Sequence, residues 1–174
     1  MRNDSLSEEQ KEFFKEAVHN FGNRKGVGHL AVACECLGFF VDDAVSLVGI
    51  DMVNSFQTEC FACQAVHGDT DIFFGVSGSE KAIADFAGRM TDEEYSGIDA
   101  DVYDALCEFT NLVNGRYVTY VGSEDEDIQM DSLPPMCCEN CNIRVNGRLC
   151  VLTVNIGGEE LKFISVVDVI PYMS

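Results

Sequence analysis

The sequence predicts an α+β fold in which long helices pack on one face of a largely antiparallel β-sheet. Strand-like segments follow one another directly over 56–76 and again over 141–169. Parallel strands would need a long crossover, usually a helix, between them. Two stretches with helical spacing of apolar residues, 79–90 and 99–121, lie between these strand-rich regions. We therefore expect hairpins to build the sheet and the helices to cover it.

The first part of the chain predicts two helices and then a strand. Apolar residues in 7–20 recur at helical spacing, and Ser7 is a suitable N-cap. The segment 23–28 contains two glycines and is expected to break or kink this helix. A second, more apolar helix is expected over 29–37. The segment 39–54 is rich in Val, Ile and Phe, which favours a strand.

A hairpin and a helix are predicted next. The segments 56–66 and 70–76 have the composition of strands, and the His-Gly-Asp sequence at 67–69 is typical of a turn. Ser79 is then expected to cap a helix that runs to Met90.

The longest predicted helix covers 99–121. An acidic loop over 91–97 precedes it, and Gly122 is expected to end it. The acidic run 124–127 is expected to be a solvated loop. The two prolines at 134–135 interrupt regular structure.

The C-terminal part predicts three strands joined by tight turns. The strands are expected over 141–145, 149–156 and 161–169, and the last two flank a Gly-Gly turn. Asn146-Gly147 lies between the first two, and Asn-Gly between apolar runs is a strong hairpin signal.

The charge excludes several classes of partner. The chain has 11 Lys and Arg against 30 Asp and Glu, which gives a net charge of −19. So acidic a surface repels nucleic-acid phosphates and anionic membranes. We expect no nucleic-acid or membrane partner. Natural partners would instead present Lys, Arg or a bound cation.

Length and hydropathy predict one cytoplasmic domain over 1–174. The N-terminal residues carry charges throughout and do not resemble a signal peptide. The longest apolar stretch, 30–41, is interrupted by Glu35 and is much shorter than the roughly 20 residues of a membrane span.

Nine cysteines include two Cys-x-x-Cys pairs, Cys60/Cys63 and Cys138/Cys141. Four thiolates could hold zinc, although the pairs are far apart in the sequence. Strand residues three apart point to opposite faces, which opposes joint ligation. We expect reduced thiols that act as small buried hydrophobes and no metal, and zinc stays open as the alternative.

The helix predicted over 99–121 has two distinct faces. Its apolar residues fall on one side: Val102, Ala105, Leu106, Phe109, Leu112, Val113 and Tyr117. The opposite side carries a stripe at spacings of 3, 4, 3 and 4: Asp101, Asp104, Glu108, Asn111 and Gly115. Such a stripe is usually a solvated face. A mid-helix glycine costs about 1 kcal/mol relative to alanine, so Gly115 favours a functional role in which a partner approaches Asn111 closely.

The residues 99–115 resemble the signature helix of the CheC/CheX/FliY family of chemotaxis phosphatases, which act on the phosphorylated response regulator CheY. The family pattern has an acidic start followed by Ala-Leu/Ile-x-Glu-x-x-Asn-x-x-x-Gly, and 105–115 meets every fixed position. The resemblance covers 60–167 and includes the preceding hairpin and Ser-Glu helix. It implies a fold with two pseudo-symmetric halves.

A weaker resemblance to the same family occurs near the N-terminus. The sequence over 26–31, Gly-Val-Gly-His-Leu-Ala, is similar to the segment after the first signature helix of CheC-type members. The Glu-x-x-Asn expected before it is not intact, because Asn20-Phe21-Gly22-Asn23 stands near its place. The resemblance therefore implies a degenerate N-terminal half at about 1–54 and a signature-bearing part at about 55–174. The CheC and CheX subfamilies both remain open.

The resemblance also implies roles for the stripe. Asn111 would position a water for attack on the aspartyl phosphate, and Glu108 would dock on the lysine of the receiver domain. Asp101, Asp104 and Gly115 would contact that partner. No cofactor is expected on the protein itself, since magnesium belongs to the receiver. CheD and a second copy of the chain stay open as partners. The alternative function is a non-catalytic module that binds a receiver or the flagellar switch.

Overall fold

The computed structural model describes residues 6–41, 45–124 and 129–174. In these ranges the chain forms four helices and six strands, which confirms the predicted α+β class. The helices are α1 (Glu8–Phe21), α2 (Arg24–Leu37), α3 (Glu80–Thr91) and α4 (Ala100–Glu124). The strands are β1 (Val45–Gly68), β2 (Ile72–Gly78), β3 (Met130–Ser132), β4 (Met136–Ile156), β5 (Glu159–Val167) and β6 (Tyr172–Met173).

The sheet is antiparallel in every described pairing, with the strand order β3-β1-β2-β5-β4-β6. A further pairing joins β1 to β4, so the contacts run in a cycle from β1 through β2, β5 and β4 back to β1. The great length of β1 makes this geometry feasible. Its second half pairs with β2, where Cys60 faces Gly78, and its start pairs with the end of β4, where Val45 faces Ile156.

The main core lies between the helices and one side of the sheet. Phe109 of α4 is fully buried at its centre and contacts rings from β2, α3 and β5: Phe74, Phe86 and Phe163. A second, smaller cluster is formed by strand residues that include Phe61, Phe73, Ile143, Leu149 and Ile164. The expectation that the helices pack on one face of the sheet is therefore confirmed.

Two predicted helix caps are confirmed. The Ser7 hydroxyl accepts a hydrogen bond from the backbone N–H of Gln10, and the Gln10 side chain accepts one from the Ser7 N–H. This reciprocal pair is a capping box at the start of α1. Ser79 caps α3 by accepting from the backbone N–H of Ala82.

Helix α2 begins earlier than expected. The break lies at Gly22, whose φ is +66°, and Asn23 caps a helix that already includes the two glycines of 23–28. The reason is close packing: a Cβ at Gly26 would lie 2.8 Å from Cys150 Sγ on β4. The glycine lets the helix approach the sheet and does not break the helix.

The predicted end of α4 is also wrong. The helix continues through Gly122 to Glu124. A lone glycine weakens a helix without ending it when the flanking residues can pack or hydrogen-bond. Here Tyr120 and Val121 pack against the main core, which holds this turn in place. Of the acidic loop predicted over 124–127, Glu124 is instead the last residue of α4, and 125–127 lie outside the described residues.

The Asn146-Gly147 hairpin is absent from the described fold, because β4 is one continuous strand through this point. The pairing with β1 jumps from Val53 opposite Leu149 to Ser55 opposite Arg144, so the Asn-Gly pair lies in a bulge. Pairing along β1 holds both sides of the bulge in one strand and overrides the local turn preference. The Gly157-Gly158 turn is confirmed, with both residues at positive φ.

The segments 39–54 and 56–66 were predicted as separate strands and are largely one. The strand β1 begins at Val45 and runs unbroken to Gly68, and the residues 42–44 lie outside the described ranges. A bulge in β1 at Val48 and the β4 bulge opposite Asn54 shift its register, and these irregularities hid the continuity of β1 in the sequence.

The cysteine pairs differ from each other. Cys60 lies in the main core and Cys63 in the smaller cluster, as expected for strand residues three apart. Cys138 and Cys141 form a disulfide, so the expectation of reduced thiols is wrong for this pair. Asn140 between them has a φ of +52°, and this left-handed residue breaks the strand alternation. Within the described ranges, no three His, Cys, Asp or Glu side chains are grouped to hold a metal ion.

None of the helices in the described part of the chain is both long and apolar enough to cross a membrane.

Candidate active site on helix α4

Helix α4 presents the predicted stripe to solvent. Its opposite face is fully buried in the main core, through side chains that include Val102, Leu106 and Phe109. We call the exposed face the acidic stripe, and all five of its members are exposed: Asp101, Asp104, Glu108, Asn111 and Gly115. The helical periodicity thus placed the candidate residues correctly on one surface.

The amide of Asn111 is held by a strand residue. Gln64 of β1 donates from Nε2 to Asn111 Oδ1 over 3.1 Å and to the backbone carbonyl of Leu133 over 3.0 Å. Gln64 is only 3% exposed, whereas Asn111 reaches the surface. A buried polar side chain therefore supports the exposed amide. We did not identify Gln64 from the sequence, although an amide at an inward position of an otherwise apolar strand was a visible signal.

Asn114 holds Gln64 in turn. It is completely buried, and its Nδ2 donates to the backbone carbonyl of Gln64 over 3.1 Å and to Gln64 Oε1 over 3.0 Å. A buried side chain of α4 thus fixes the residue that orients the exposed one. The sequence places Asn114 beside the apolar face, with no other sign of this role.

His29 of α2 lies at the buried end of this polar cluster. Its ring stacks on Tyr117 of α4 with a centroid distance of 4.4 Å, and Nδ1 lies 3.0 Å from Ser165 Oγ. Burial lowers the pKa of His29 to about 3, an effect that the nearby Asn114 side chain partly opposes. The imidazole is therefore neutral and structural.

Acidification is expected to destabilise the protein through His29. Its pKa is 6.5 in an unperturbed chain and about 3 in the fold, so only the unfolded state binds the proton between these values. This stabilisation is complete above about pH 6.5 and falls as the pH drops, by about 1 kcal/mol per pH unit. Urea unfolding between about pH 7 and pH 5 measures the slope. The less stable His29→Gln variant should lose that slope, and equal slopes would contradict the assignment.

Glu108 is available to a partner. It is exposed, and it makes no ion pair within the described residues. Asp104 and Asp101 lie about one and two turns before it, respectively, on the same face. Three unpaired carboxylates in a row favour a cationic group on whatever binds here.

Gly115 borders an open groove. A Cβ at Gly115 would meet no heavy atom of the described chain within 4 Å, apart from the backbone of its own helix. The groove has a volume of about 640 Å³ and is lined by residues of α2 and α4 that include Glu35, Asn111 and Arg116. Arg116 Nε lies 3.5 Å from Glu35 Oε2, and its guanidinium covers the Phe39 ring at 5.2 Å. The groove leaves space for a partner beside Asn111.

The other flank of the acidic stripe contains thiols and apolar side chains. Cys107 Sγ lies 3.3 Å from Cys137 Sγ at the start of β4. Partial desolvation and the neighbouring Cys107 raise the pKa of the exposed Cys137 thiol, which disfavours a nucleophilic thiolate here. Leu133 and Met136 are exposed apolar side chains on this side, with exposed fractions of 40% and 51%.

The N-terminal segment with the weaker resemblance, 20–31, forms no comparable exposed acidic face in the described structure. Asn20 is exposed at the end of α1, whereas Asn23 is used as the N-cap of α2. Its Oδ1 accepts from Gly26 N–H over 2.9 Å, and its Nδ2 contacts Cys150 Sγ at 3.2 Å. This asparagine therefore performs a structural task.

The family model described as "Chemotaxis phosphatase CheX" matches residues 60–156, a segment that contains the whole acidic stripe and Gln64. The chain belongs to the CheX family. This match covers more than half of the chain and decides the family membership that the signature helix predicted. The CheX match ends before the last two strands and begins within β1, so it includes α3 and α4 entirely. No curated protein matches the chain significantly.

Solved structures show that the CheX fold extends over most of the chain. A CheC-like chemotactic protein from Shewanella oneidensis superposes with a TM-score of 0.68 at 13% identity, covering 83% of this chain and 99% of its own. CheX from Desulfovibrio desulfuricans superposes with a TM-score of 0.67 at 11% identity, and the match covers 82% of this chain and 98% of that protein. A complex of CheX with CheY, beryllofluoride and magnesium from Borrelia burgdorferi gives 0.65 at 13% identity, covering 81% and 96%. At these identities the likeness establishes the fold.

Proposed function

We propose that the protein hydrolyses the aspartyl phosphate of a CheY-like receiver domain in bacterial chemotaxis signalling. The observation that carries the proposal is the exposed Asn111 amide, which Gln64 holds on the same face as Glu108. Membership of the CheX family supports this reaction, and a CheX of the same fold has been solved with CheY. The family alone leaves open how the residues act.

Hydrolysis of an acyl phosphate requires little from the enzyme beyond positioning of a water molecule. An acyl phosphate is already labile, so a correctly placed water is a sufficient catalytic contribution. An amide oxygen can accept a hydrogen bond from that water without any change of protonation. In this account Asn111 orients the water for in-line attack on phosphorus, and the phosphate leaves the aspartate of the receiver.

The negative charge of the acidic stripe restricts the substrate. Three exposed carboxylates would repel a bare phosphate, whereas they attract a lysine or a metal ion beside it. A receiver domain would supply a lysine to meet Glu108 and its own magnesium to shield the phosphate. The charge of −19 thus favours a protein-bound phosphate over a free phosphorylated metabolite.

A second candidate is a non-catalytic module that docks on a receiver or on the flagellar switch. The structural use of Asn23 favours it, because the N-terminal half then offers no second site. CheD and a homodimer also remain proposals for partners.

Turnover separates the two candidates. A CheY-like receiver from the same genome is phosphorylated with a small phosphodonor, separated from it, and mixed in large excess over the protein. We expect inorganic phosphate to be released well beyond one equivalent per protein, faster than spontaneous decay. Release at the spontaneous rate would overturn the proposed enzyme function.

Charge reversal at Glu108 is expected to weaken recognition of the receiver. Glu108→Lys would place a cation opposite the receiver lysine, so KM should rise about tenfold or more while kcat changes less. The matched control is Glu16→Lys, because Glu16 is an exposed carboxylate on α1 outside the acidic stripe. Steady-state phosphate release measures both constants. An equal rise of KM in both variants would show that only net charge matters.

A further inference from the structure

A chain of three amide side chains leads from the buried core to the acidic stripe. Asn114 donates to Gln64, Gln64 donates to Asn111, and Asn111 reaches solvent. The first two are almost completely buried, at 0% and 3% exposure. The bonds between these buried amides restrict their orientation, since turning Gln64 or Asn114 around would bring two donors or two acceptors face to face.

The backbone carbonyl of Leu133 sets the direction of the whole series. A carbonyl only accepts hydrogen bonds, so the group of Gln64 that faces it must be Nε2. The Oε1 atom of Gln64 then faces Asn114, which must present Nδ2. The same Nε2 faces Asn111, which must therefore present Oδ1. The Leu133 carbonyl thus determines the orientation of all three side-chain amides.

We propose that Gln64 is a positioning residue that fixes the orientation of the Asn111 amide for the reaction. This inference rests on the proposed function. The bond from Gln64 occupies one lone pair of Asn111 Oδ1 and leaves the other for the attacking water. Asn111 Nδ2 makes no hydrogen bond within the described chain and is left to donate to the phosphate or its surroundings.

The hydrogen bond from Gln64 limits rotation of the exposed Asn111 side chain. An exposed asparagine samples several rotamers and both orientations of its amide. Each misplaced orientation presents N–H where the water needs an acceptor. Removing the Gln64 donor should therefore reduce the fraction of competent molecules without touching Glu108 or the docking surface. The loss should appear in kcat, by about tenfold, and not in KM.

Two variants test this, with a matched control. Gln64→Leu removes the donor and keeps a buried side chain of similar size. Gln64→Glu keeps the shape but cannot donate while ionised, and protonation restores one donor. The control Thr58→Val removes a buried hydroxyl from the same strand, where it bonds to Ser77 away from the acidic stripe.

The expected results are a fall in kcat at constant KM for Gln64→Leu, and wild-type constants for Thr58→Val. The rate of Gln64→Glu relative to wild type should rise as the pH is lowered, a profile that a merely structural defect would not give. A wild-type kcat for Gln64→Leu, or a flat relative profile for Gln64→Glu, would overturn the proposal.

A direct measurement separates this proposal from the proposed function. The NMR order parameter of the Asn111 side-chain amide is measured in free wild type and in Gln64→Leu. We expect an ordered amide in wild type and a mobile one in the variant, and equal order in both would overturn the positioning role. A wild type with an ordered amide but no phosphatase activity would refute the proposed function while leaving the orientation of Asn111 by Gln64 intact.

Discussion

Asn111→Ala is expected to lower the catalysed rate of receiver dephosphorylation by about a hundredfold or more. The substitution removes the acceptor that orients the water and leaves Gln64 with only the Leu133 carbonyl to donate to. Because Glu108 and the other carboxylates of the acidic stripe remain, binding of the phosphorylated receiver should change little. Single-turnover decay of the receiver phosphate measures the rate, and titration of the receiver measures binding.

Two further variants sharpen the Asn111 prediction. Asn111→Asp keeps the shape of the side chain and should also be slow, since its charge repels the phosphate and Gln64 Nε2 then pairs with a carboxylate. The control is Asn20→Ala, an exposed asparagine on α1 outside the acidic stripe, which should behave as wild type. A rate for Asn111→Ala within a factor of two of wild type would remove Asn111 from the mechanism.

Phe109→Ala is expected to lower the free energy of unfolding by about 3–5 kcal/mol. Phe109 is fully buried on the apolar face of α4, and its ring lies 5.1 Å from Phe86 and 5.7 Å from Phe163. Its ring centroid also lies 6.2 Å from that of Phe74 and 6.3 Å from that of Phe40. Truncation would leave a cavity where α3 and α4 meet strands β2 and β5. Urea unfolding at constant pH measures the loss.

The control for Phe109 is Phe21→Ala at the end of α1. Phe21 is 40% exposed, so its truncation should cost roughly 1 kcal/mol or less. A loss below about 1 kcal/mol for Phe109→Ala would show that α4 is not held by this aromatic cluster.

The candidate site could be predicted largely because it lies on one helix. A period of 3.6 residues determines which side chains share a face, so the acidic stripe follows from the sequence alone once α4 is recognised. Ser7 and Ser79 were predictable for a similar reason, since capping involves residues only three positions apart.

The features that were missed depend on distant residues. Gln64 and Asn111 are 47 positions apart, and nothing local to β1 shows which helix will pack over Gln64. The Asn146-Gly147 bulge requires β1 as a partner, and Gly26 belongs to a helix because Cys150 lies against it. In the last two cases a tertiary contact overrides a local preference, whereas the contact between Gln64 and Asn111 has no local signal at all.

The most direct test of the catalytic role of the acidic stripe is a single-turnover experiment with saturating wild-type protein. The phosphorylated receiver is fully bound, and the first-order loss of its phosphate is compared with spontaneous decay under the same conditions. We expect a decay constant at least tenfold above the spontaneous value. A complex that forms while the decay constant stays at the spontaneous value would contradict it and identify the protein as a binding module.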